Sequence, residues 1–295
     1  MGRISLVRTS AALGLFDGLH LGHRHVLERV REQEKNGLLP SVFTFVAESV
    51  SIKHGTALEY LYPTEQKCRL FKEYGIQRIY HPPFADICNM DGEEFVQRIL
   101  VQRFSAAHVC CGQDFRFGRK AAWNVQDLQK FGEQYGFAVE IAEDVLMDGQ
   151  PVSSSRIRLH LISGEIERAN LLLGAPYTIE QTVTHGAQLG RTIGFPTINQ
   201  VFAEGQLVPK FGVYATETIV DGVKYPSVTN IGMKPTVNYQ GRPLAETHII
   251  GFQGDLYGRT LQVRFQRFIR PEQRFGSVEE LQAQLCKDMA CAGKE

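Results

Sequence analysis

Residues 14–23 read Gly-Leu-Phe-Asp-Gly-Leu-His-Leu-Gly-His, and no other stretch limits the possible folds so strongly. An apolar run at residues 11–16 leads into it, and an amphipathic stretch at 23–35 leaves it. A strand, a glycine-rich turn and a helix in that order bring free backbone N–H groups and the positive end of a helix dipole to the turn. Gly14, Gly18 and Gly22 let a ligand approach the backbone closely. His20 and His23 stand three residues apart, so both can face one anion at a helix start. Two imidazoles aimed at a phosphate can stabilise the charge that grows on it as a leaving group departs. The plainer alternative is a pair of solvated histidines beside a turn. The placement of H-x-G-H after a strand favours the anion site, and with it the transfer of a nucleotidyl group.

The surrounding pattern supports such a turn. Apolar runs at 41–46, 77–80, 108–112 and 137–142 alternate with helical stretches near 65–74, 92–104 and 125–135. Gly75 and Gly136 stand just past two of these helices, where a left-handed residue closes the last turn. This alternation predicts a parallel sheet flanked by helices, with ligands gathering at the carboxyl ends of the strands. After about Ala175 the pattern changes. Residues 212–220 and 223–230 read as strands joined by Asp221-Gly222, a hairpin signal, and 246–252 and 260–269 continue in β. Ser277-Val278-Glu279-Glu280 announces a closing helix through a capping box, with Val278, Leu281, Leu285 and Met289 as its apolar face. At 295 residues the expectation is two domains, an α/β domain over 1–175 and a small antiparallel barrel or sandwich with a C-terminal helix over 176–295.

Charge narrows the partner. Lys plus Arg total 32, Asp plus Glu total 32, and the balance holds in each half. A nucleic-acid binder would carry a basic stripe, so small molecules are the expected partners. The six cysteines show no C-x-x-C pair and no zinc spacing with histidine. No apolar run reaches 18 residues, and Asp17 and His20 interrupt the N-terminal one too early for a signal peptide. The expectation is a cytoplasmic chain with reduced thiols, monomeric or weakly self-associating, with no nucleic-acid or membrane partner.

Two further motifs follow. Ser153-Ser154-Ser155-Arg156-Ile157-Arg158 sets three hydroxyls at a helix start with two arginines behind, a group able to cap an anion. His185-Gly186-Ala187-Gln188-Leu189-Gly190-Arg191-Thr192 invites comparison with a P-loop but has the wrong glycine spacing and Arg in place of Lys.

G-x-F-D-G-x-H-x-G-H, then Gly112-Gln113-Asp114-Phe115-Arg116-Phe117-Gly118, then S-S-S-x-I-R together resemble the FMN adenylyltransferase module of prokaryotic bifunctional riboflavin kinase/FAD synthetases. The run from His185 through Gly194-Phe195-Pro196-Thr197-Ile198-Asn199 resembles the riboflavin kinase signature of that family. Asn230-Ile231-Gly232-Met233-Lys234-Pro235-Thr236, Glu246-Thr247-His248 and Phe268-Ile269-Arg270-Pro271-Glu272 extend the likeness over nearly the whole chain. The resemblance implies a Rossmann-like nucleotidylyltransferase domain followed by a small antiparallel β-barrel kinase domain. It further implies that riboflavin is phosphorylated to FMN and FMN adenylylated to FAD, with ATP as co-substrate and Mg²⁺ as cofactor.

By the same resemblance, His20 and His23 would act on the ATP phosphates. Gly14, Phe16, Asp17, Gly22, Ser154, Ser155 and Arg158 would complete that nucleotide site. Asp114 and Phe117 would lie on the flavin side, although core packing accounts equally well for Phe115 and Phe117. In the second domain Gly190, Gly194, Pro196 and Thr197 would hold ATP, Thr197 and Asn199 the metal, and Arg270 the flavin pocket. Glu246 would be the base for the riboflavin 5′-hydroxyl. The chain departs from the family after its second strand, where Phe43-Thr44-Phe45-Val46-Ala47-Glu48 replaces the usual acidic-Pro-His-Pro stretch. Ser155 also stands where Thr is usual, and Lys234 where Arg is commoner.

Overall fold

A computed structural model describes residues 7–50, 59–186, 190, 193–233 and 241–293, which fall into two units, residues 1–154 and 155–295. In the first unit the chain runs β1 (Thr9–Leu13), α1 (Leu21–Glu32), β2 (Leu39–Phe43), α2 (Thr64–Glu73), β3 (Arg78–Tyr80) and the short α3 (Phe84–Ile87). It continues through α4 (Gly92–Phe95), which runs on as a π-helical stretch Val96–Arg103, then β4 (Ala106–Gly112), α5 (Val125–Tyr135), β5 (Ala138–Ala142) and a ribbon of β6 (Leu146–Met147) and β7 (Gln150–Pro151). Five parallel strands lie in the order β3-β2-β1-β4-β5.

Both faces of this sheet are covered, as a parallel sheet requires. Ala11, Leu13, Val109 and Cys111 pack with Phe95, Leu100 and Leu128. Their neighbours Ala12 and Cys110 point the other way, onto Val26, Leu27, Val30 and Phe71. The order reverses direction between β1 and β4, so a crevice opens beyond the carboxyl ends of these two strands. The turn after Leu13 and the Gly112–Gly118 segment both leave the sheet there. β1 stops at Leu13, short of the expected Phe16, because Phe16 sits at φ 51°, outside the β region.

The second unit holds the rest of α6 (Ser154–Ser163), then α7 (Ile166–Leu173) and six strands: β8 (Tyr177–Thr184), β9 (Ile198–Val201), β10 (Gly212–Val220), β11 (Val223–Met233), β12 (Pro243–Ile249) and β13 (Thr260–Arg270). They close into a barrel in the order β10-β11-β12-β9-β8-β13, every pair antiparallel. α7 belongs with the barrel because the Asn170 side chain donates to Phe265 O and accepts from Tyr177 N. The chain ends in α8 (Val278–Ala292). As expected, Ser277 caps it by accepting from Glu280 N, but the Glu280 carboxylate takes the Gly276 N–H instead of closing the box on Ser277. The expected apolar face is only partly used. Val278 is 50% exposed, and the one buried residue of α8 is Asp288, which grips Arg270 of β13.

Candidate active sites

At the carboxyl end of β1 the turn is held in a strained shape. Phe16 and Leu19 both have positive φ, 51° and 45°, a costly state for bulky residues that persists only where the surroundings over-determine it. The fixings are visible. Leu61 N donates to Asp17 Oδ1 at 2.8 Å, Ser154 Oγ to Asp17 O at 2.8 Å, and Arg24 Nε to Leu19 O at 3.0 Å. Ser154 is thereby brought to the turn, while Ser155 and Arg158 lie further along the helix that Ser154 opens.

α1 begins at Leu21, two residues before expectation, because His20 is its cap: His20 Nδ1 accepts from His23 N at 3.3 Å. An accepting Nδ1 places the hydrogen of the neutral ring on Nε2. The His20 and His23 rings are stacked at 3.6 Å and 20°, and His23 meets the edge of Phe16 at 5.3 Å. Gly22 leaves room for the His20 ring as well as for a ligand. A Cβ there would lie 3.2 Å from His20 Cε1, and one at Gly14 would lie 3.2 Å from the Phe16 ring.

Sequence reasoning passed over Lys67. It lies on α2, 1% exposed, with Nζ donating to Leu15 O (2.9 Å), Thr44 Oγ1 (3.2 Å) and Phe45 O (3.3 Å). Burial lowers its pKa from 10.5 to about 8, against the pull of Asp17 and Glu48. Only its place between the strand ends distinguishes it from a surface lysine, and the helical period could have shown no more than that it faces inward. The segment after β2 is tied down by Val46 N to Pro82 O, Phe84 N to Ser49 Oγ, and Glu48 to Thr64. Burial works against the Glu48 carboxylate, but hydrogen bonds from Thr64 outweigh it and keep its pKa below the usual value. Beyond β4, Asp114 is exposed, whereas Phe117 is 5% exposed and packed on Phe95, Phe115 and Phe131. That is the core-packing alternative for Phe117.

The second unit carries its own site. Phe195 N donates to Gly190 O at 2.8 Å. Any Cβ at Gly190 would meet Phe195 O at 2.3 Å, and Gly194 has φ 84°. Pro196 and Thr197 follow, and the Pro196 carbonyl accepts from His248 Nδ1 at 2.8 Å. Glu246 of β12 pairs in register with Asn199 on one side and Asn230 on the other, so the three side chains share a face. A cavity of about 290 Å³ is lined by Thr197, Asn230, Glu246, His248, Arg270 and apolar residues of α8. A second, of about 260 Å³, is lined by Pro196, Thr197, Thr247 and the Phe252–Tyr257 turn. Thr197 borders both. Arg270 lines the first cavity but is committed, its guanidinium holding both oxygens of Asp288 at 2.7–3.2 Å. Asn230 and His248 stood in motifs read from the sequence but were given no role there, since one strand does not reveal which neighbours face it. Arg191, Thr192 and residues 234–236 lie outside the described residues.

The chain thus joins a doubly wound sheet with a histidine-bearing turn at its switch point to an antiparallel barrel in which the two cavities described meet at Thr197. The FAD synthetase family model matches residues 4–156 and the riboflavin kinase family model residues 173–294. Over 291 residues the chain is 36% identical to the bifunctional riboflavin kinase/FMN adenylyltransferase of Pseudomonas fluorescens, covering 96% of this chain and 91% of the other. It is 36% identical over 280 residues to the protein so named in Escherichia coli strain K12, covering 94% and 89%. A Streptococcus pneumoniae crystal structure described as a macrolide-efflux protein matches with TM-score 0.85 at 28% identity, covering 100% of this chain and 96% of that one. Among the described residues no helix is long and apolar enough to cross a membrane. The chain belongs to the bifunctional riboflavin kinase/FMN adenylyltransferase family.

Proposed function

We propose that this chain converts riboflavin to FAD in two ATP-dependent steps, one per module, with the functional boundary near residue 175. The change of pattern there and the start of the kinase match at residue 173 support that boundary. In the barrel, Glu246 accepts the proton of the riboflavin 5′-hydroxyl, whose oxygen attacks the γ-phosphorus of ATP and releases ADP. The cavity beside Glu246, walled by α8, suits the flavin; the one beyond Thr197 suits the nucleotide. In the first module an FMN phosphate oxygen attacks the α-phosphorus of a second ATP, and the bond to the β-phosphate breaks to release pyrophosphate. His20 and His23 donate to the charge that develops on the α-phosphate, with the N–H groups of α1 beside them. Gly14, Phe16, Asp17 and Gly22 shape that turn, and Ser154, Ser155 and Arg158 hold phosphate oxygens. Asp114 lies on the FMN side.

The donor set of Thr197, Asn199 and the facing Glu246 is all oxygen, which fits Mg²⁺ shared with substrate phosphates. Bound there, the ion would neutralise phosphate charge; Thr197 and Asn199 would be its holders. Six free thiols support a cytoplasmic setting.

The observation that carries the reading is the His20–His23 stack opening α1 at the switch point of the sheet. Its test is a product time course with riboflavin and excess MgATP. FMN should rise first, then FAD with an equal amount of pyrophosphate; FMN accumulating without FAD would refute the adenylyl-transfer half.

A further inference from the structure

We infer that Lys67 is a positioning residue for adenylyl transfer, the pin that joins the carboxyl ends of β1 and β2 and holds the His20–His23 turn in its reactive shape. The inference rests on the reading of residues 14–23 as the adenylyl-transfer site. A buried ammonium is costly unless every hydrogen finds an acceptor. Here three hydrogens meet three acceptors: Leu15 O beyond β1, and Thr44 Oγ1 and Phe45 O beyond β2. Thr44 Oγ1 donates to the same Leu15 carbonyl at 2.8 Å, so the two strand ends are cross-tied twice.

Leu15 immediately precedes Phe16, the first of the two strained residues. The strain propagates by contact, since the Phe16 ring abuts His23 and His23 stacks on His20. Leu61, Ser154 and Arg24 hold the turn beyond Phe16, and Lys67 holds the carbonyl before it. Without that pin, Phe16 can relax toward ordinary backbone angles and draw the imidazoles with it. A displacement near 1 Å at reacting groups can cost about 10²-fold in rate.

The ammonium also makes the pin titratable. Among the described residues, Asp17 from the turn, Glu48 and Tyr60 from the segments packed around it, and Cys68 on its own helix are the ionisable groups about it. A neutral amine has two hydrogens for three acceptors, so the pin weakens as pH passes about 8.

The experiment uses the full chain and reads FMN and FAD formation separately, with FMN supplied for the second. Lys67→Met should lower kcat for FAD formation by about 10²-fold, change the KM for ATP far less, and leave FMN formation at the wild-type rate. The wild type should show a basic limb near pH 8 in FAD formation only, and Lys67→Met should lack it. Thr44→Val, which keeps the lysine and removes one tie, should lower FAD formation by a smaller factor and retain the limb. If the first module of Lys67→Met fails to fold, the wild-type profile and Thr44→Val decide. A wild type with no basic limb near pH 8, or a folded Lys67→Met with wild-type kcat, would overturn the inference alone. A wild type that makes FMN and never FAD would overturn the adenylyl-transfer reading and the inference with it.

Discussion

Replacing Arg270 with methionine would strand the Asp288 carboxylate, which is 1% exposed and now receives Nε and Nη2 of Arg270 at 2.7–3.2 Å. Among the described residues, the neutral Gln284 Nε2, at 2.9 Å, would remain as its hydrogen-bond donor. Removing one member of a buried pair costs about 3–5 kcal/mol, because the remaining charge keeps its desolvation penalty. For a module of this size each kcal/mol moves the melting point by roughly 3–5 °C, so the Arg270→Met transition should fall by roughly 10–20 °C. Asp288→Leu in the same chain removes the stranded charge, and the double variant should recover most of that loss. The assay is a calorimetric double-mutant cycle on the full chain, following the transition assigned to the barrel by its shift with added riboflavin. Arg270→Met melting within about 2 °C of wild type, or a double variant no more stable than the single, would refute the reasoning. The double variant also tests the flavin role that the resemblance implies for Arg270: Arg270 and Asp288 both line the cavity beside Glu246, and a stable barrel with an unchanged KM for riboflavin would refute that role.

His20→Ala or His23→Ala should lower FAD formation by about 10²-fold or more and spare FMN formation, while Glu246→Gln should do the reverse; quantifying both products by chromatography checks the pair. His248→Phe removes the donor to Pro196 O and keeps the ring that meets Phe195; loss of one hydrogen bond should lower riboflavin phosphorylation by about tenfold, read as kcat/KM. Lys67 releases its proton near pH 8 when folded and near 10.5 when unfolded. Between those values the unfolded chain binds more protons, so this residue adds stability as pH rises, on the order of 3 kcal/mol across the window. Denaturant titrations at pH 8 and 10 should show about 2 kcal/mol of that gain in the wild type relative to Lys67→Met.

Much of the architecture was legible in the residues alone. Period-two and period-3.6 patterns located the five strands of the sheet, four of the six barrel strands and most of the helices to within a few residues, because such patterns record which face of each element is buried; β8, β9 and α7 went unread. Asp221-Gly222 marked its hairpin through the positive φ both residues adopt, 51° and 79°. The glycines and histidines of residues 14–23 marked the first site through the local chemistry of a strand-to-helix turn. What the sequence could not reveal depends on elements distant in the chain. Lys67 and Thr44 are polar residues of ordinary appearance until α2 folds over the ends of β1 and β2. The face of Glu246 is completed by Asn199 and Asn230 only once barrel register is set. The C-terminal helix read as an apolar stripe, yet its buried anchor is a carboxylate, since Asp288 gains its place from Arg270 eighteen residues away. Local periodicity reports burial; partnership is decided only when the chain closes on itself.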